Sequence, residues 1–103
     1  MKDMGKLLKQ AQMMQERLAE MQARLAEKTV EASSGGGMVT AVMNGKHEVV
    51  SLKIDPEVVN PSDIEMLEDL IIAALNEART RVDEMIRNEM SALTGGLPIP
   101  GLF

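Results

Sequence analysis

"GGGMVTAVMNGKHEVVSLKID", residues 35–55, is the stretch on which the fold turns. "MVTAVM" and "HEVVSLKI" are rich in β-branched residues, and Asn44-Gly45 followed by Lys46 separates them. An Asn-Gly step between alternating runs is a strong hairpin signal, because both central residues of a type I′ turn need positive φ. With a two-residue turn, Val39, Ala41 and Met43 share a face with Val50 and Leu52, and Ile54 extends it. Thr40, His47, Ser51 and Lys53 fall mostly on the other face. The three glycines ahead of the hairpin invite a second reading, a phosphate cradle. That cradle needs a Gly-rich turn feeding a helix that opens with Lys-Ser/Thr. Here Gly35-Gly36-Gly37 runs into a strand and no lysine follows at the required spacing, so the glycines are expected to be a connector.

Working backward, "KTVEASS" alternates, with Val30 and Ala32 on one side, and reads as a further strand. The sum is a three-stranded antiparallel meander with one apolar face and two open edges, which a second subunit would cover or pair. Upstream of it, Met4, Leu7, Ala11, Met14, Leu18, Met21 and Leu25 recur at alternating steps of three and four. This is a heptad seam, flanked by Arg17 and Arg24 on one side and by Gln15 and Gln22 on the other. So narrow a stripe suits a projecting, coiled-coil-like helix; an amphipathic helix packed on its own domain fits as well. Both readings stand, and each can hold for a different half of the helix.

Downstream, "IDPEVVNPSD" offers helix starts at Asp55-Pro56 and at Asn60 with Pro61 as first helical residue, with Ser62 and Glu65 as an alternative capping box. A second helix is expected from about Pro61 to Ala92. Its first half is apolar on more than one side, and its second thins to Val82, Met85, Ile86, Met90 and Leu93. Gly95-Gly96 stops it. The tail "TGGLPIPGLF" is apolar and held extended by Pro98 and Pro100; it either docks on a groove or frays. The expected fold class is therefore α+β: a long N-terminal helix, a three-stranded antiparallel sheet and a long C-terminal helix (αβββα), as one domain over 1–94 with a Gly/Pro-rich apolar tail at 95–103.

At 103 residues, such a chain buries about two-thirds of its unfolded surface. It has no cysteine, Trp or Tyr, one Phe and ten Met. Disulfides, thiolate zinc sites and cysteine nucleophiles are excluded, which suits a reducing cytoplasm. The longest apolar run, "LIIAAL" at 70–75, is far short of the ~20 residues a membrane span needs, so a soluble protein is expected. Net charge is −5 but uneven: residues 1–28 hold six basic and four acidic side chains, residues 55–90 three basic and ten acidic. The acidic total argues against a surface coated for nucleic acid, while the asymmetry leaves room for a basic face.

No catalytic constellation emerges. His47, the only histidine, sits beside the hairpin turn and reads as surface decoration. The carboxylate pairs Glu68-Asp69 and Asp83-Glu84 match neither a Glu-x-x-His metal motif nor an EF-hand loop. With no aromatic except Phe103, base-stacking platforms are excluded. A binding or structural protein is expected, neither an enzyme nor a binder of small molecules.

"LLKQAQMMQERLAEMQ", "GGGMVTAVMNGKHEVVSLKIDP", "MLEDLIIAALNEAR" and "GGLPIPGLF", in this order over nearly the whole chain, resemble the YbaB/EbfC family of bacterial nucleoid-associated proteins. Asn60-Pro61 stands where Asp-Pro is expected, which keeps the capping chemistry. The resemblance implies a homodimer whose sheets associate and whose helices project in pairs like tweezers. It also implies binding of double-stranded DNA, a cytoplasmic location on the nucleoid, roles in nucleoid organisation and gene expression, and no activity or cofactor. Charge alone picks the candidate phosphate contacts: Lys2, Lys6 and Lys9 in the first turns of helix one, Arg17 and Arg24 beside its seam, and Arg79, Arg81 and Arg87 on the slim part of helix two. Arg17 and Arg24 have a plainer alternative, pairing with Glu16, Glu20 or Glu27 on a solvated face. A protein–protein adaptor or holdase, gripping a partner with Met-rich arms, is the competing function.

Overall fold

Alternation in three six-residue runs becomes three strands, and the heptad and i, i+4 patterns on either side become two long helices. The computed structural model describes residues 2–95. The order is α1 (Lys2–Glu27), β1 (Thr29–Ser34), β2 (Val39–Asn44), β3 (Val49–Ile54) and α2 (Ile64–Thr94), the expected αβββα. The strands form one antiparallel sheet in the order β1-β2-β3. Gly35, Gly36 and Gly37 all have positive φ (60°, 68° and 95°) and carry β1 into β2, so the triple glycine is a connector. Ser34 Oγ ties that corner to α2 by donating to the Leu70 carbonyl at 2.6 Å.

One face of the sheet is buried. Ala32, Val39, Ala41 and Met43 pack against Ala74, Ala78 and Val82 of α2. Residues four apart stack along one helix face, and two of these three are alanines, so the helix axis comes close to the strands. Enlarging either alanine would wedge the helix off the sheet, at about 1–3 kcal/mol. A second cluster joins the helices: Met21, Leu25 and Met90 are buried, with Leu18, Met85, Ile86 and Leu93 packed around them. The lower half of the α1 seam therefore packs within its own chain. The upper half projects beyond the end of α2, and the molecule extends 73 Å along its longest axis. Its radius of gyration is 19.5 Å, against about 13 Å for a compact chain of this length.

Local expectations are corrected at the hairpin, at Gly45 and at the start of α2. The hairpin is not a two-residue type I′ turn. Asn44 N–H donates to Glu48 O (3.0 Å), enclosing a three-residue loop whose last member, His47, has φ 62°. The Asn44 side chain organises the loop by accepting from Lys46 N and Glu48 N. Val39 consequently faces Ile54 and Ala41 faces Leu52, with a bulge between Val42 and Met43 that displaces Val50. A two-residue turn would bring Val39 opposite Val50. The slip is an even number of residues, so Leu52 and Ile54 keep their predicted face.

Gly45 is glycine for a different reason from the one the turn suggested. Its φ is not positive; instead it abuts the end of α1. A Cβ there would lie 2.2 Å from the Leu25 carbonyl oxygen. The Gly45 N–H donates to that oxygen at 2.8 Å and to Lys28 O at 3.1 Å.

Helix α2 starts later than expected. Asp63, whose carboxylate accepts from Met66 N at 3.2 Å, is the N-cap. Asn60 and Pro61 form a preceding turn, closed by Asp63 N to Asn60 O, in which proline takes the second position that its fixed φ favours. Asp55-Pro56 opens only one 3₁₀ turn, Pro56–Val58. At the other end Gly95, φ 67°, caps α2 as the sequence foresees. The apolar tail beyond it lies outside the described residues.

Gly45→Ala should lower unfolding stability by about 1–3 kcal/mol, as forced overpacking does. Gly36→Ala, in open space, should lose only about 1 kcal/mol from its positive φ. Urea unfolding of both variants checks this, and a neutral Gly45→Ala would remove the close approach as the reason for glycine.

Candidate nucleic-acid interface

The eight basic candidates do not form one patch; they divide by element and by commitment. Lys6, Lys9 and Arg17 are exposed on α1, and among the described residues none of them makes an ion pair. Lys2 lies in the first turn of the same helix. Lys6 and Lys9, three apart, share a face of the projecting half. Arg17 lies lower, beside Glu20, Arg24, Glu89, Ala92 and Leu93 in a shallow groove between the two helices.

Arg24 has another occupation. Its Nη2 lies 3.6 Å from Glu89 Oε2, while Lys28 Nζ donates to Glu89 Oε1. The partner is thus on α2, not on the α1 acids expected for a solvated face. The Lys28 hydrogen bond is the main reason the Glu89 carboxyl sits below its ordinary value of 4.5, and the charges of Lys28 and Arg24 add to it. This clamp joins the last turns of α1 to α2 above the apolar cluster. Sixty-one residues separate Lys28 from Glu89, so no local pattern could have announced it.

Arg81 is committed too. It pairs with Glu77 one turn away, Nε to Oε1 at 3.4 Å, and its Nη1 donates to the Glu31 carbonyl at 2.5 Å. It pins α2 to the edge strand β1. Arg79 and Arg87 are exposed on α2 with Asp83 midway between them, a turn from each. Asp83 accepts from His47 Nε2 at 2.8 Å, so the lone histidine ties the hairpin loop to α2 and is more than surface decoration. The positions least encumbered by partners are therefore Lys6, Lys9 and Arg17 on α1, with Arg79 and Arg87 on α2.

The opposite pole has other chemistry. Asp55, Glu57, Asp63, Glu65, Glu68 and Asp69 are exposed around the start of α2. Among them and along β3 lie exposed apolar side chains: Val49, Val50, Leu52, Val59, Ile64, Met66 and Ile72. Among the described residues no group of His, Asp and Glu side chains is arranged to hold a metal ion, and no helix is long and apolar enough to cross a membrane.

An elongated α+β chain with a bare apolar sheet edge and a basic helical arm is the scaffold of a protein that works by binding. This chain belongs to the YbaB/EbfC DNA-binding family, whose model matches residues 1–97. It is 54% identical over 101 residues to a nucleoid-associated protein of Thermoanaerobacter pseudethanolicus, covering 98% of this chain and 91% of that protein. A nucleoid-associated protein of Caldanaerobacter subterraneus subsp. tengcongensis is similar at the same identity and coverage. Among solved structures, an uncharacterized protein of Helicobacter pylori, HP0035, superposes with a TM-score of 0.73 at 27% identity, over 88% of this chain and 92% of that one.

The Glu89 clamp has a pH signature. Its carboxyl is lowered on folding, so the clamp's contribution is complete above the ordinary carboxylate value and is lost as pH falls through the lower folded value. Both cations are half exposed, which limits the contribution to about 0.5–1 kcal/mol. Glu89→Gln should cost that much at neutral pH, and the difference should shrink as pH falls below the ordinary carboxylate range. Urea unfolding at neutral and at acidic pH measures it.

Proposed function

We propose that this protein binds double-stranded DNA as a homodimer, mainly through phosphate contacts, and acts on the nucleoid of the cytoplasm in its organisation and in gene expression. The observation that carries the reading is the placement of Lys6 and Lys9. They stand, without an ion-pair partner among the described residues, on a helix that projects from a body whose opposite pole is acidic. A duplex approaching the arm meets cations, and one approaching the start of α2 meets carboxylates. Residues 1–94 act as one binding unit. Lys2, Lys6, Lys9 and Arg17 are the leading contacts and Arg79 and Arg87 the secondary ones. Arg24 and Arg81 reach DNA only by leaving Glu89 and Glu77. No cofactor, membrane or small-molecule substrate enters the reading, and it contains no catalytic step.

The dimer covers β3. Helix α2 packs on β1 and β2, and Val49, Val50 and Leu52 are left exposed on an edge strand. An open apolar edge of this kind is a liability unless another chain pairs with it. Two copies joined there present two basic arms, doubling the phosphate contacts. Base reading is weak in this picture, because the arm holds no Asn or Arg arranged in pairs toward base edges.

Fluorescence anisotropy of a duplex of about 30 base pairs, titrated at several salt concentrations, tests the DNA reading. The log affinity should fall with log salt by about 0.9 per phosphate neutralised. Lys6→Glu with Lys9→Glu should flatten that slope by about two contacts per arm engaged, while Lys53→Glu should leave it alone. Equal losses from the two variants would displace the interface from the arm. Separately, Val50→Glu with Leu52→Glu should convert a dimer to a monomer by light scattering, and an unchanged mass would move the dimer contact away from β3.

A further inference from the structure

The upper half of the α1 seam is left over from everything above. Met4, Leu7 and Leu8 are 68, 64 and 62% exposed, and neither apolar cluster of the protein includes them. Met4 and Leu7, with Ala11 and Met14, continue without a break in the 3-4 spacing the row in which Leu18, Met21 and Leu25 are covered by Met85, Ile86, Met90 and Leu93 of α2, and Leu8 flanks it. Cover stops because α2 ends at Thr94. Among the described residues, nothing covers the two heptads by which this helix–helix interface runs on.

We infer that this seam pairs with the same seam of a second copy, antiparallel, so that arm tips of separate molecules join. Two features choose this occupant and this direction. The first is side-chain size. In an antiparallel pair centred between Leu7 and Ala11, Met4 meets Met14 of the second copy and Leu7 meets its Ala11, a large residue against a small one in each inner layer. Leu8 then lies beside the other Leu8 and widens the apolar contact. The second is charge. Asp3 and Arg17 flank the seam on the same side, and antiparallel pairing brings such positions together across the interface. Each Asp3 therefore meets the other copy's Arg17, twice per pair. In a parallel pair Asp3 would lie beside Leu8 and Arg17 beside Gln22, with an Ala11–Ala11 gap between. The arm's own packing has the same sense: descending α1 from Lys28 and Arg24 to Arg17 follows α2 upward from Glu89 to Leu93.

Lys6 and Lys9 lie on the side of the helix away from this seam. Lys6 and Lys9 therefore stay available to phosphates while a second arm takes the seam, and Arg17 leaves the phosphate set when it meets Asp3 of the second copy. The pairing stands on the helix alone; its consequence, that one duplex is joined to another, rests on the DNA reading above. The contact spans about fifteen residues, roughly 22 Å of helix, and is marginal in dilute solution. It strengthens where DNA holds many copies at high local concentration.

The chain has no cysteine, which makes the test direct. Met4→Cys and Met14→Cys variants of the full chain are purified separately, mixed at high concentration without DNA, and oxidised mildly. The 4–14 intermolecular disulfide should form in several-fold higher yield than the 4–4 bond in Met4→Cys alone or any bond from Glu16→Cys on the outer face. Leu7→Gln with Leu8→Gln, introduced into both variants, should abolish the excess. The same pair of substitutions in the natural background should leave affinity for a short duplex within about twofold. Equal 4–4 and 4–14 yields would overturn the inference. So would a bond formed within one chain between Cys at 4 and a second one introduced at Leu102, which would give the seam to the chain's own tail. A weakened short-duplex affinity in the glutamine variant would assign the seam to DNA and also overturn it. Failure of the unsubstituted chain to bind any duplex would fall on the DNA reading alone, since the disulfides are formed without DNA.

Discussion

Gly45 governs how the arm leaves the body. The hairpin loop meets the end of α1 at a separation that admits a backbone N–H and no side chain, and that N–H serves two carbonyls, Leu25 and Lys28. A helix end has four carbonyls without intrahelical partners. Taking one of them, Leu25, together with the carbonyl of Lys28 just past the helix, into the β2–β3 loop fixes where α1 stops and which way it points. Lys28 is the only residue between α1 and β1, so the connection itself has little freedom. The Lys28–Glu89–Arg24 clamp and the Met21–Leu25–Met90 cluster then hold the angle from the α2 side. Each of these contacts is modest alone, and together they convert a surface helix into a fixed projection.

The fold was largely legible because its signals are periodic. Alternation in 29–34, 39–44 and 49–54 and the heptads of α1 give element type without reference to anything distant. The order of the strands follows from short connections. What the sequence mis-stated was local chemistry with more than one solution. Asn44-Gly45 fits a type I′ turn, but the same asparagine can cap a longer loop with its own side chain, and the glycine was required by a helix end that no nearby residue specifies. Asn60, Ser62 and Asp63 are all competent N-caps. Asp63 is the one that caps, with Asn60 spent on the turn before it.

The basic candidates were less legible for a physical reason. A lysine or arginine has no periodic signature separating one that faces solvent from one that meets a carboxylate brought in by folding. Lys6, Lys9, Arg24 and Arg81 look alike as letters. The last two are held by Glu89, by Glu77 and by the carbonyl of Glu31, contacts that include spans of fifty residues and more. His47 was misjudged for the same reason, since Asp83 reaches it only once α2 lies across the sheet. The acidic half of the sequence, by contrast, stayed acidic in space. Six of its ten carboxylates gather around the start of α2, at the opposite end of that helix from the arm.

A rigid rod set on a narrow footing is also a lever. From Met21, where α1 is still packed, to its first turn is about 28 Å at 1.5 Å per residue. Tilting the footing by about 10° therefore sweeps the tip through about 5 Å, more than the 3.4 Å rise between successive base pairs. Small repacking among methionines at the footing, side chains suited to such adjustment, is magnified into a reach that spans neighbouring phosphates. On the proposed DNA reading, an arm geared in this way would tolerate variation in groove width and helical phase without remaking its core, a mechanical counterpart to contacting a duplex through its phosphates.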